Sequence, residues 1–157
     1  MKVLTVDKVK IGSELPPLEV EVTPRVVIMG ASASRDWQPQ HHDHAWAVEK
    51  VGTKGIFLNT PNLAGWIERY LTDWSGPLGR LGRIRFRMRR SICAGDRMSF
   101  SGSVTRVVPD DQGCQWAEVD LAVTANGETA VECSARIAIP ADPADSPWAR
   151  SGARWQP

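Results

Sequence analysis

The chain predicts an α+β fold in which one long amphipathic helix is followed by an antiparallel sheet, and three observations carry the prediction. First, Leu63, Ile67, Leu71 and Trp74 recur at helical spacing, with Ala64 and Tyr70 widening the stripe. Second, from Arg83 onward the apolar period changes to two and holds through four segments. Third, Asn126-Gly127 stands between the last two segments, a dipeptide that closes tight hairpins because both residues accept positive φ.

Taken in order, residues 1 to 23 alternate loosely and are broken by Gly12 and Pro16-Pro17. They predict an edge strand, a loop and a second short extended piece. Arg25 to Ala33 is a mildly apolar run that suits a short helix leading into a turn at Asp36. Asp43 is placed to cap a helix over His44 to Lys50. Thr60-Pro61 reads as an N-cap followed by proline at the first helical position, and Ser75-Gly76-Pro77 ends that helix. In the strands, Ile84, Phe86 and Met88 alternate with Arg83, Arg85, Arg87 and Arg89. Ala94-Gly95-Asp96 is a turn, and Met98, Phe100, Gly102 and Val104 alternate with serines. Ala117 to Val123 and Val131 to Ile139 complete the set. Residues 141 to 157 carry three prolines and no period, so the chain divides into one domain over 1–140 and an extended tail over 141–157. Trp148 and Trp155 point to docking of that tail, because two tryptophans on a free tail would be unusual.

Length and composition suit a single core. A formal net charge of +1 gives no reason to expect nucleic acid or a membrane surface. Cys93, Cys114 and Cys133 have no metal-type spacing and read as buried thiols in a reducing compartment. The N-terminal residues hold no apolar stretch of signal-peptide length, and no run approaches the ~20 apolar residues of a membrane span, so a cytoplasmic protein is expected.

The chemistry centres on Ser34-Arg35-Asp36-Trp37-Gln38-Pro39-Gln40-His41. Pro39 fixes its own φ and restrains Gln38, so the segment is a turn, which can aim Asp36 and His41 at one spot. A carboxylate and an imidazole so placed can hold a water and move its protons. The structural alternative is that Asp36 only caps the short helix at 43–50 or holds the turn, and that His41 is solvated. His41, His42, Asp43 and His44 are also metal-type ligands, but adjacent residues rarely converge on one ion, and no metal is expected.

The segment resembles the S-G-D-x-N-P-x-H signature of MaoC-like dehydratases and (R)-specific enoyl-CoA hydratases. Asp36, Pro39 and His41 stand in place, with Arg35 where the family has Gly and Gln38 where it has Asn. Two further stretches are similar to the family in order and spacing: Ile56 to Thr60 running into the helix, and Arg85 to Asp96 with its Gly-Asp turn. The resemblance covers about residues 10 to 140. It implies a hot-dog fold, a sheet wrapped around one long central helix. It also implies reversible addition of water to a trans-2-enoyl-CoA, giving an (R)-3-hydroxyacyl-CoA. Asp36 and His41 would be the catalytic pair. Asn59 and Thr60 stand where the family has His-Gly, and substrate binding there would use backbone N–H groups on the thioester oxygen; plain helix capping is the equal alternative. No cofactor is implied beyond coenzyme A as part of the substrate.

The arginines at 80, 83, 85, 87, 89 and 90 are either a solvated face or a landing for coenzyme A phosphates, with Asp110, Asp111, Glu118 and Asp120 available to neutralise them across strands. A homodimer or higher oligomer is expected, because sheet edges need mates. The alternatives are a non-catalytic or partner-dependent subunit of a heteromeric hydratase, possible as a heterodimer with a related chain, and an acyl-CoA thioesterase.

Overall fold

A computed structural model describes residues 3–111 and 113–157. Its helices are α1 (Pro24–Ala33), the short α2 (His44–Trp46), which continues as a π-turn over Ala47–Val51, and α3 (Thr60–Ser75). Its strands are β1 (Leu18–Glu21), β2 (Arg80–Met88), β3 (Arg97–Pro109), β4 (Gln115–Ala125) and β5 (Glu128–Ile139). All pairings are antiparallel in the order β1-β3-β4-β5-β2. This is the hot-dog arrangement that the sequence resemblance implies.

The helical stripe predicted for α3 is its buried face. Leu63, Ile67, Tyr70 and Leu71 pack into one core with Val119, Leu121 and Val123 of β4 and Val131 and Ile137 of β5. Such burial stabilises by about 25 cal/mol per Å² of apolar surface, so the seam between helix and sheet dominates the stability of the domain. Alternation places the charged residues of β2 on the opposite sheet face, where Arg83, Arg85 and Arg87 are exposed. Asn126 (φ 53°) and Gly127 (φ 85°) form the hairpin between β4 and β5 as expected.

Three expectations need correction. Before Gly12 the chain forms a 3-10 turn (Val6–Lys8) instead of an edge strand; the Gly12 and Leu15 N–H groups donate to the Val104 and Gly102 carbonyls of β3 at 2.8 Å, Glu14 bridges Ser103, and Leu18–Glu21 is the strand that joins the sheet. The Val6 N–H is taken by the Pro140 carbonyl at 3.0 Å, and Pro16 and Pro17 have no N–H to continue a ladder. The cap of α3 moves one residue: Asn59, not Thr60, accepts the Asn62 N–H at 3.2 Å, and Pro61 is the second helical residue. Within the arginine band, the ion pairs found among the described residues are at Arg89 and Arg90 and use other carboxylates than those expected. Glu132 pairs with Arg89 (2.6 Å) and Glu128 with Arg90, while Glu118 meets Arg106 at 3.4 Å. The Asp110 carboxylate accepts from the Cys114 N–H and the Trp116 indole, both at 2.7 Å.

Residues 141–157 lie against their own sheet. Arg80 donates to the carbonyls of Pro147 (3.3 Å) and Arg150 (2.7 Å) and stacks 3.6 Å from the Trp155 ring centre. Trp155 meets Trp116 with ring centres 5.0 Å apart, closing a second small core with Cys114 and Ala138 on the outer sheet face. Trp148 donates its indole N–H to Gly79 at 3.2 Å but stays mostly exposed. All three cysteines are free and buried, and burial pushes the Cys133 thiol up to about 11, so it is no nucleophile at neutral pH. No helix among the described residues is long and apolar enough to cross a membrane.

Candidate active site

Four local structures converge on one point: the C-terminus of α1, the turn at Pro39, the bridge strand at Phe57 and the N-terminus of α3. Thr23 caps α1 by accepting the Val26 N–H at 3.2 Å, and the helix runs to Ala33. Ser34 ends it, its hydroxyl donating back to the Gly30 carbonyl at 2.8 Å. Arg35 then turns the chain with φ 54°. That left-handed conformation suits glycine, which the resembled family has here, and costs an L-residue about 1–2 kcal/mol. The turn delivers Asp36, and Pro39 opens a 3-10 turn (Pro39–His41) that delivers His41.

The two sequence-predicted residues meet. His41 Nε2 lies 3.4 Å from Asp36 Oδ2, with the imidazole almost wholly buried and the carboxylate a quarter exposed. The other ring nitrogen, Nδ1, is 2.8 Å from the Phe57 carbonyl. A carbonyl only accepts, so Nδ1 carries a proton. In the neutral ring Nε2 is then an acceptor facing a second acceptor. A water that donates one O–H to each satisfies both, and its lone pairs are left for an electrophile. In the imidazolium the same Nε2 donates toward Asp36. The Phe57 ring packs edge-on against the imidazole with centres 5.0 Å apart and holds it in orientation.

Asn59 is the hub that sequence reasoning did not foresee. It is buried, and its amide nitrogen donates to Asp36 Oδ2 (2.9 Å) and to Ser34 Oγ (2.8 Å), while its oxygen caps α3. One side chain thus ties the helix start to the carboxylate. The Asn59 hydrogen bond holds the Asp36 carboxyl below its ordinary range; partial burial opposes this, and the Gln38 N–H and the imidazole add to it. Thr60 is exposed, its hydroxyl 3.7 Å from Met88 Sδ. At the start of α3, Asn59 takes the Asn62 and Leu63 N–H groups and Pro61 has none, so among the described residues Thr60 is left with the unengaged N–H.

Two more residues support this hub. Asn62 donates to the Val26 carbonyl at 3.1 Å and so binds α3 to α1. A Cβ on Gly30 would stand 1.8 Å from the Asn62 amide, so glycine lets the helices approach this closely. A small residue four positions before Ser34 was the available signal. Beside Ser34 an open apolar groove of about 570 Å³ runs between α1 and α3, lined by Val26, Met29, Ala33, Pro61 and Trp66. A larger hollow of about 910 Å³ lies on the far sheet face and touches neither Asp36 nor His41. His42 and His44 are exposed, and among the described residues no three His, Cys, Asp or Glu gather as a metal site.

No family model matches the chain. The beta subunit of 3-oxo-4,17-pregnadiene-20-carboxyl-CoA hydratase from Mycobacterium tuberculosis is 39% identical over 97 residues, which are 62% of this chain and 74% of that subunit. Among solved structures, the ChsH1-ChsH2 complex from M. tuberculosis superposes with a TM-score of 0.76 at 32% identity, covering 83% of this chain and 98% of the matched chain. R-hydratase PhaJ1 from Pseudomonas aeruginosa shares the fold with a TM-score of 0.77 at 19% identity, over 87% of this chain and 85% of that one. The chain belongs to the MaoC-like family of hydratases and dehydratases.

Proposed function

We propose that this chain is the catalytic subunit of an enoyl-CoA hydratase, adding water reversibly to a trans-2-enoyl-CoA to give an (R)-3-hydroxyacyl-CoA. The observation that supports it most is the convergence of Asp36 Oδ2 and His41 Nε2 on one water-sized point beside the N-terminus of α3. Starting from the carboxylate and the imidazolium, Asp36 accepts a proton as the water oxygen bonds to the β-carbon, and the Nε2 proton of His41 goes to the α-carbon. Passing the proton from Asp36 back to Nε2 resets the pair. The Thr60 N–H polarises the thioester carbonyl in this reading, and the acyl group occupies the groove between α1 and α3. The chemistry requires no cofactor of its own, because the carbonyl already activates the double bond.

A related chain pairs with this catalytic subunit in the proposal. A beta subunit and a two-chain complex stand among the relatives, and the relative's steroid-type thioester suggests a bulky acyl group for a groove this wide. The test is to give the purified protein short, long and cyclic enoyl-CoA substrates and follow both hydration and CoA release. Hydration supports the reading. CoA release in its place makes the protein a thioesterase, and silence with every substrate leaves the partner-dependent subunit.

Asn59 supplies a sharper test of the site. Asn59→Asp keeps the capping oxygen but replaces the donating nitrogen with a second carboxylate oxygen beside Asp36. The neighbouring charge raises the Asp36 pKa, so the acid limb of the kcat/KM profile moves to higher pH by about a unit or more. An unmoved limb in an active variant would mean that Asp36 is not the group titrating there.

A further inference from the structure

The helix α3 carries a glycine that neither its backbone nor its packing requires. Gly65 stands inside the helix, where glycine is less stable than alanine because it has the most backbone freedom to lose. The chain's other glycines each have a physical reason. Seven have positive φ, which an L-residue adopts only with strain. At Gly30, Gly55, Gly79, Gly82 and Gly102, a Cβ would stand 3.1 Å or less from an atom of another residue. Gly65 has helical φ, and a Cβ built on it meets nothing within 4 Å.

The space that a side chain at this position would enter is the groove between α1 and α3. Two faces of α3 divide the work. Leu63, Ile67, Tyr70 and Leu71 are buried in the core. Pro61, Gly65 and Arg69, four residues apart, share the groove with Asn62 and Trp66. At Gly30 and Asn62 the two helices touch. About one turn further along α3, the missing side chain of Gly65 leaves the groove open beside the flat indole of Trp66. Distance along the helix says which part of an acyl group would meet this opening. At 1.5 Å per residue, Gly65 lies about 7.5 Å along the axis from Thr60, whose N–H takes the thioester oxygen in the reading above. An extended chain advances roughly 1.2 Å per bond, so the opening falls about six bonds beyond the thioester carbonyl carbon. A crotonyl group stops short of it, whereas a longer acyl group carrying a ring must pass it.

We propose that Gly65 is a specificity-determining residue: by omitting a side chain, it keeps the groove wide enough for a ring-bearing acyl group about six bonds from the thioester. The helix gives up some stability for that room, as binding sites often do. A leucine here would fill the space the ring needs, and α1 cannot move away freely, because Asn62 binds α3 to the Val26 carbonyl of α1 at 3.1 Å. The proposal rests on the reading that the acyl group lies in this groove.

Gly65→Ala and Gly65→Leu are the test variants, with crotonyl-CoA and 6-cyclohexylhex-2-enoyl-CoA as substrates. The ratio of kcat/KM for the ring substrate to that for crotonyl-CoA should fall about 10²-fold in Gly65→Leu and by a smaller factor in Gly65→Ala, since each methylene of misfit in an apolar pocket is worth about 10–200-fold. Taking the ratio cancels whatever the substitution does away from the groove. Gly65→Ala should also unfold at a higher urea concentration than wild type, because alanine is the better helix former. An unchanged ratio in folded Gly65→Leu would overturn the proposal. So would a Gly65→Ala variant less stable than wild type, because the glycine would then serve the backbone. Calorimetric binding of two inert thioethers, S-butyl-CoA and S-(6-cyclohexylhexyl)-CoA, makes the same comparison without turnover. A protein that hydrates neither substrate, yet loses affinity for the ring thioether selectively in Gly65→Leu, keeps the role of Gly65 and loses the hydratase reading. Equal effects on both thioethers, or no binding of either, remove Gly65 from acyl recognition.

Discussion

Replacing Asp36 by Asn, or His41 by Ala, should lower enoyl-CoA hydration at least about 10²-fold, since positioned proton transfer contributes roughly 10²–10⁴. The two losses should not multiply. The groups stand 3.4 Å apart and act on one water, so the double variant should be little worse than the poorer single one. Each substitution leaves the scaffold standing. Asp36→Asn keeps the shape of a partly exposed side chain, and loss of the imidazole frees one carbonyl, that of Phe57, which a water can satisfy. Loss of enoyl-thioester absorbance measures the rate, and circular dichroism checks the fold. Full activity in either variant, with wild type active, would remove that residue from the mechanism.

The second large effect concerns stability. Asp96 is fully buried and accepts from the Cys93 N–H (2.7 Å), the Asn126 amide (2.6 Å) and Lys54. Burial pushes its carboxyl up, but the hydrogen bonds and the charge of Lys54 outweigh burial and hold it below the ordinary range. The Asp96 turn is joined to the site, because Cys93 bridges to Phe57, whose carbonyl holds His41. Asp96→Ala orphans a buried N–H and should cost about 3 kcal/mol, the scale of a buried hydrogen bond to a charged group. A carboxyl depressed in the folded state stabilises above the unfolded pKa of about 4 and loses that contribution as pH falls through the folded value. The gap between wild type and variant in urea midpoint should therefore be full at neutral pH and narrow below about pH 4. A gap that persists undiminished in acid would show that the charge of Asp96 contributes little.

Much of this was legible in the residues. The 3.6-residue stripe from Leu63 to Leu71 and the two-residue alternation of the strands appear because each face meets a uniform environment, core on one side and water on the other. Asp36 and His41 were legible because the proline turn between them is a local device. Asn59 was harder. As a cap it is visible one residue away, but its bond to Asp36 joins positions 23 apart, and no local pattern encodes such a contact. The partners of the arginine band were misassigned for the same reason: strand register decides that Glu132 and Glu128, not Asp110 or Asp120, reach Arg89 and Arg90. The tail was foreseen to dock through its tryptophans, and only the fold shows Arg80 and Trp116 receiving Trp155.

By itself, then, the sequence determined the helix, the succession of strands along the chain and the pair of groups that can move a proton, since all of these depend on residues close together along the chain. The tertiary structure decided what holds the carboxylate ionised, which carboxylates reach Arg89 and Arg90, and where the tail docks. Those properties arise when α1, α3 and the five strands pack, because distance and desolvation, which set the strength of a charge or a hydrogen bond, exist only once distant segments meet.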